Sequence, residues 1–491
     1  MVEGPASLRN RAIGRMNAGR VREAIAAYRQ LTAGGAATPD DWYNLGYLLR
    51  VERRFEEALD AYGEAIARGV GRPEEVHLNR AAILSEHSNQ HDAAQQELKR
   101  ALALNPAFIM AWLNLGNLHE DRGDAAAARE AYERVIALDP HNGRANARLG
   151  TLDVFGGAPD KGVRRLQPLV TAPQVPMAAR AEMGFALGQA LDAAGRYDEA
   201  FHAFARANEL TESGKRPGER YDAAAADRLF AAIKASFPSP AKAADQPGSE
   251  KLIFICGMFR SGSTLVETVL GRHEAVTSGG ELEIIPAFAA TALQPYPQAA
   301  ADLSPAAIAQ LRDAYLAEVR RLHPGFRCLT DKRPDNFLHV GLIKTLFPDA
   351  RIVNTVREPL DNILSVYFLN ADESVSYKTR LEAIVHWYAQ YRGLVAHWKR
   401  LYPDDIFDLN YDALVAEPEP VVRSLLAFCG LEWDPACLAP ERATELVRTA
   451  SVWQVRQPLH RRSSQRHLNY ASHLRAIEAQ LRDQLEGVEG A

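Results

Sequence analysis

The sequence predicts a chain of class α followed by α/β: an N-terminal α-solenoid, then an α/β domain with a parallel sheet. Three observations predict it. Small and bulky apolar residues recur about every 34 residues over residues 8–211. A proline-bearing break follows at residues 212–249. Beyond the break, residues 251–271 and 351–368 each read as an apolar strand, a turn carrying an arginine, and a helix. The expected domains are therefore 1–211, a helix and linker over 212–249, and 250–485.

At 491 residues the chain suits two or three domains at ~100–200 residues each. Its net charge of −5 carries no polyelectrolyte signature, so no nucleic-acid partner is expected. The first twenty residues lack the apolar core of a signal peptide, and no run approaches the ~18 apolar residues of a membrane span. Four cysteines, Cys256, Cys328, Cys429 and Cys437, show no metal-ligand spacing. Buried thiols in a reducing compartment are the simplest account, and a cytoplasmic protein is expected.

In the first half, small residues recur at Ala24, Ala58, Ala94, Ala128, Gly162 and Ala200. Four residues after each stands a bulky apolar one: Tyr28, Tyr62, Leu98, Tyr132, Leu166 and Phe204. The small residue lets two helices approach, and the bulky one fills the groove on the same face. Trp42, Leu45 and Gly46 match Trp112, Leu115 and Gly116 in the companion helices, and Pro106 and Pro140 stop second helices. This stretch resembles tetratricopeptide repeats, with six helix pairs of which the first and fifth are degenerate. Such arrays form a concave face suited to a peptide or protein partner, and Asn79, Asn114 and Asn146 are candidates to line it. Residues Asp222 to Phe237 then read as one amphipathic helix, and the proline-rich segment after it as a linker.

Leu252 to Cys256 is an apolar run of strand length. Gly257 and Gly262 bracket a turn holding Arg260, Ser261, Ser263 and Thr264, and Leu265, Val266, Val269 and Leu270 continue at helical spacing. A strand, a glycine-permitted turn and a helix N-terminus present backbone N–H groups to a phosphate. The hydroxyls of Ser261, Ser263 and Thr264 add donors. The loop is P-loop-like but lacks the Gly-Lys-[Ser/Thr] of a Walker A motif, which disfavours a magnesium-dependent NTPase. As it stands, Gly257-Met258-Phe259-Arg260-Ser261-Gly262-Ser263-Thr264-Leu265 resembles the loop of sulfotransferases that binds the 5′-phosphosulfate of 3′-phosphoadenosine 5′-phosphosulfate (PAPS), with Phe259 where proline is usual.

The resemblance extends downstream. Gly279-Gly280-Glu281, with His273 before it and Ile284-Ile285-Pro286 after it, is similar to the tyrosylprotein branch of the family, which implies that Glu281 is the catalytic base. Glu283 is the competing carboxylate. Lys332, in Thr330-Asp331-Lys332-Arg333-Pro334, matches the family lysine at the phosphate–sulfate bridge. Arg357 and Ser365, at the second strand–turn–helix, match its 3′-phosphate site. Tyr411, in a segment similar to the family's Arg-Tyr-Glu-Asp-Leu, would lie near the nucleotide. Ser451 belongs to the family's serine-rich closing segment, and Arg466 matches its following cation, with His467 where tryptophan is usual.

The resemblance implies transfer of a sulfuryl group from PAPS to a hydroxyl, leaving 3′,5′-ADP, with no metal. The implied catalytic residues are Glu281, Lys332 and Arg260. The tyrosylprotein enzymes carry arginines two and six residues beyond the base; here Glu283 and Ala287 stand there, which argues against an acidic-peptide acceptor. A peptide or protein hydroxyl, tyrosine included, is the first expectation. A small alcohol, sugar or lipid hydroxyl, or a scaffold that binds nucleotide without chemistry, stays open, as does the oligomeric state.

Overall fold

The structure, a computed structural model, describes residues 4–86, 90–240, 250–370, 375–442 and 464–489. The chain divides into two compact units, residues 1–152 and 153–491. The repeat region is twelve helices: α1 Pro5–Asn17, α2 Val21–Ala33, α3 Pro39–Val51, α4 Phe55–Ala67, α5 Pro73–Glu86, α6 His91–Leu104, α7 Ile109–Asp121, α8 Ala125–Leu138, α9 Gly143–Phe155, α10 Pro159–Val170, α11 Met177–Ala193 and α12 Tyr197–Gly214. α13 Ala223–Ser236 follows, capped by the Asp222 side chain, which accepts from the Ala225 N–H at 3.1 Å.

The six small residues and their six bulky partners are all buried. The aromatic ring of a second helix lies against the glycine of the first. A Cβ placed on Gly46 would stand 2.8 Å from the Tyr62 ring, and one on Gly116 would stand 2.4 Å from the Tyr132 ring. Within the second unit, Gly188 and Phe204 repeat the arrangement at 2.7 Å. The repeat is thus a knob of fixed size in a hole kept open by a missing side chain. α6 and α8 end before Pro106 and Pro140. Asn146 departs from the expected concave-face role: it is buried, and its amide donates to the carbonyls of Pro140 and Asn142. A buried amide without those acceptors would be costly.

The second unit contains a five-stranded sheet: β1 Lys251–Gly257, β2 Val276–Ser278, β3 Cys328–Lys332, β4 Arg351–Val356 and β5 Ile406–Asn410. Every pairing is parallel, and the order is β2-β3-β1-β4-β5. Intervening helices are α14 Ser263–Gly271, α15 Ile284–Ala287, α16 Gln298–Ala301, α17 Pro305–Leu322, α18 Val340–Leu346, α19 Pro359–Tyr367, α20 Leu381–Leu401, α21 Tyr411–Ala416, α22 Pro418–Phe428 and α23 Ala471–Glu489. Parallel strands need crossovers, and the crossover helices cover both faces. Ile253, Ile255 and Val353 pack with Val266, Val269 and Leu270 of α14 and Val422 and Leu425 of α22. On the other face, Phe254 meets Tyr315 of α17 and Phe347. The strand order reverses across β1, and the carboxyl ends of β3, β1 and β4 lie side by side. In sheets of this kind that edge is where ligands bind.

In β3, Thr330, Asp331 and Lys332 are as buried as the apolar residues before them. The helices α10 to α12 belong to the same compact unit as the sheet. Phe204 of α12 stacks on Phe368 with ring centroids 3.8 Å apart, and the Asn208 amide donates to the Tyr367 carbonyl at 2.8 Å.

Candidate active site

The loop between β1 and α14 is shaped by two glycines. Gly257 has φ +146, and a Cβ there would lie 2.4 Å from Thr355 Oγ1 on the neighbouring strand. Gly262 has φ +104, and its missing side chain faces the Tyr411 ring, which a Cβ would meet at 2.6 Å. Between them Arg260 takes φ +68, an unusual conformation for a side-chain-bearing residue. Ser261 turns inward: its hydroxyl donates to the Met258 carbonyl at 2.7 Å and lies 2.5 Å from Thr355 Oγ1. In this structure that hydroxyl holds the loop together, in space that Gly257 leaves open. Ser263 and Thr264 begin α14, Ser263 buried and Thr264 partly exposed.

The second arginine follows β4, whose Thr355 is in register with Gly257. Arg357 is buried, donates from Nη1 to the Arg260 carbonyl at 3.2 Å, and lies 5.1 Å over the Tyr411 ring. Ser365, on α19, accepts from Arg260 Nε at 3.2 Å. The two loops, separated by 97 residues in sequence, are thus one site. Asn362, not singled out by the sequence, braces it by donating to the Phe259 carbonyl at 3.0 Å.

Burial pushes the Arg260 pKa down to about 10, and the charges of Arg357 and Arg466 push it the same way. Arg357 is also lowered, first by burial, with Arg466 adding to the effect. Three guanidinium groups that repel one another define a place where an anion is stabilised. The glycine-lined loop and this cation set fit a phosphate- and sulfate-bearing ligand.

On the other side of β1, Lys332 ends β3 in register with Ile255. Its side chain is 1% exposed and its Nζ lies 2.5 Å from Glu281 Oε1, on a carboxylate 44% exposed. Glu283 faces away to Arg333 at 2.6 Å, and Arg333 also pairs with Asp335 at 3.0 Å. The two candidate bases therefore have different partners, and Glu281 is the one joined to Lys332.

Glu267, on α14, was not evident from sequence. Its Oε1 accepts from the Gly280 N–H at 3.0 Å and the Thr330 hydroxyl at 2.9 Å, which fixes the turn that presents Glu281. Burial raises its pKa, and the charge of Lys332 works against the rise. His273 is structural: buried, it contacts the Glu432 carbonyl through Nε2 and accepts from the Ala275 N–H.

Arg466 pairs with Asp192 of α11, Nη2 to Oδ2 at 2.8 Å. His467 bonds through Nδ1 to Asp361 at 3.0 Å and to Glu358 at 3.2 Å. Those carboxylates also accept the backbone N–H groups of Asp361, Gln465 and His467, so this acidic group works as a clasp on α19. Ser451 lies outside the described residues. Cys256, Cys328, Cys429 and Cys437 are free and buried, and burial raises the pKa of each.

With this geometry in view, the chain resolves into a sulfotransferase-family domain behind tetratricopeptide repeats. Residues 253–435 match the sulfotransferase family model, and residues 9–73 and 81–143 match that of the tetratricopeptide repeat. An uncharacterized protein of Aquifex aeolicus (strain VF5) is 29% identical over 443 residues, covering 87% of this chain and 57% of the relative. Protein-tyrosine sulfotransferase 1 of Danio rerio is 26% identical over 208 residues, covering 39% of this chain and 56% of the relative. The chain thus spans little more than half the length of either relative. Among solved structures, the sulfotransferase domain from the Synechococcus PCC 7002 olefin synthase has a TM-score of 0.39 at 20% identity, covering 51% of this chain and 98% of that one. Among the described residues no helix is long and apolar enough to cross a membrane.

Proposed function

We propose that the chain is a PAPS-dependent sulfotransferase acting on a hydroxyl of a peptide or protein engaged by the repeat array, tyrosine among the candidates. The observation that carries the reading is the Lys332–Glu281 pair beside β1, whose own loop joins the Arg260–Arg357–Ser365 cluster at the same edge of the sheet. PAPS, when bound, supplies the sulfuryl group. Arg260 and the loop N–H groups would hold its 5′-phosphosulfate, and Arg357 and Ser365 its 3′-phosphate. Ser263, Thr264, Tyr411 and Arg466 would line the same site.

The roles of the chain's own groups follow from charge. Glu281 Oε1 faces Lys332 Nζ, and its half-exposed carboxylate is the group that would take a proton from the acceptor hydroxyl. The buried Lys332 side chain, held by that carboxylate, would offset the negative charge on the leaving oxygen. Neutralisation of Arg333 by Glu283 and Asp335 favours a neutral acceptor over an acidic one.

Calorimetric titration of the full chain with 3′,5′-ADP, 5′-ADP and ATP tests the reading. Binding should require the 3′-phosphate and be lost in Arg357→Ala; equal binding of ATP would remove the proposal. Once an acceptor is found, Glu281→Ala should bind 3′,5′-ADP as before but lose turnover. Undiminished turnover would end the base assignment.

A further inference from the structure

Two of the three guanidinium groups at the site follow β-strands of the central sheet, but Arg466 begins a five-residue 3₁₀ turn, Arg466–Tyr470. It is repelled by Arg260 and Arg357, whose proton affinities it lowers. Unanchored, such a side chain would turn toward water. Its anchor comes from the repeat helices. Asp192, near the end of α11, takes Nε at 3.1 Å on Oδ1 and Nη2 at 2.8 Å on Oδ2. The Tyr470 hydroxyl donates to the same Oδ1. The guanidinium also lies 5.2 Å over the ring of Phe368, which stacks on Phe204 of α12. A two-pronged carboxylate contact uses one edge of the fork and leaves its other N–H groups for an anion.

We infer that Asp192 is a positioning residue for donor binding: a carboxylate of the last repeat-helix pair holds Arg466 as the third cation of the anion site. Donor affinity then depends on a residue outside the sulfotransferase-matched segment, and the last helix pair is part of the cofactor site's support. The inference rests on the reading of the site as one for PAPS.

The test is calorimetric titration of 3′,5′-ADP into the full chain and its variants Asp192→Ala, Asp192→Asn, Arg466→Ala, the Asp192→Ala/Arg466→Ala double, and Tyr470→Phe, each checked by thermal melting. Arg466→Ala and Asp192→Ala should each weaken binding about tenfold, the scale of one charge-assisted contact. The double variant should be no weaker than Arg466→Ala, because Asp192 acts through that arginine. Tyr470→Phe breaks a bond to the same carboxylate but leaves the ion pair, so its affinity should stay at the wild-type value. If Asp192→Ala fails to fold, Asp192→Asn, which keeps the shape and removes the charge, decides. Wild-type affinity in a folded Asp192 variant, or fully additive losses in the double, would overturn the inference. Wild-type affinity in Arg466→Ala would overturn it too, leaving the Arg260–Arg357 site intact. Absence of binding by the wild type would instead remove the site reading itself.

Discussion

Asp331 offers a test of how the strand that carries Lys332 is held. It precedes Lys332 on β3, is 1% exposed, and accepts from the Tyr315 hydroxyl at 2.9 Å and the Asn336 amide at 3.3 Å. Burial, the largest effect, raises its pKa from 3.8 to about 7 against the pull of those hydrogen bonds. The sign follows from linkage. Between pH 3.8 and about 7 the folded chain holds a proton that the unfolded chain releases, so stability falls as pH rises and levels off above 7. At about 1.4 kcal/mol per tenfold change in proton affinity, ionising this buried carboxyl costs about 4 kcal/mol at pH 8. Asp331→Asn keeps the shape, leaves an acceptor for Tyr315, and never ionises. Urea melts of both proteins from pH 4 to 8.5 should give nearly equal stability at the acid end. The variant's advantage should grow to a plateau of about 2–4 kcal/mol above pH 7. A difference that does not change with pH, or a variant less stable than wild type at pH 8, would refute the reasoning.

Three further outcomes are expected. Lys332→Met should lower kcat by about 10²–10³ while 3′,5′-ADP binds within a few-fold of wild type and the melting temperature holds, since half-exposed Glu281 can rehydrate; equal loss of binding and turnover would argue for a binding role only. Gly262→Ala forces a side chain into φ +104 and against Tyr411, on which Arg357 lies, so titration should show at least about tenfold weaker 3′,5′-ADP binding and melts a destabilisation of about 1–3 kcal/mol. Gly116→Ala gains about 1 kcal/mol of helix propensity but meets the buried Tyr132 ring at 2.4 Å, and chemical denaturation should show a net loss of about 1–2 kcal/mol; net stabilisation would mean the knob-in-hole account of the repeat is wrong.

What the sequence made legible was local or periodic. The spacing of Ala58 and Tyr62 or Ala128 and Tyr132 encodes a helix contact that recurs, so the repeats were readable without any distant partner. The loop after β1 was readable because Gly262 and Arg260 lie within one turn, and both take a positive φ, a property local to the chain. Lys332 and Arg357 entered through their motifs; that their strands flank β1 required the sheet order. β3 itself was obscured, because Thr330-Asp331-Lys332 has the composition of a loop. It forms a buried strand because Glu267, Tyr315 and Glu281 satisfy those three side chains from 63, 16 and 51 residues away.

The same distinction explains the support around the site. Ser261 reads as a phosphate donor in the loop motif, but its direction is set by the vacancy at Gly257 and by Thr355, 94 residues on. Asp192 sits in an alanine-rich helix where an acidic residue has no evident function, and its partner Arg466 is 274 residues away. A break in composition at 212–249 marks a change of sequence character, whereas packing follows surfaces: Phe204 on Phe368, Asn208 on Tyr367, and Lys215 reaching the Ser376 carbonyl and Thr379. The first two tie α12 to the end of α19, the helix that carries Ser365. The last repeat pair thus packs against a helix whose Ser365 accepts from Arg260. Under the proposed reading, a partner that bound one arrangement of that pair more tightly would change donor affinity, and bound donor would change partner affinity by the same factor.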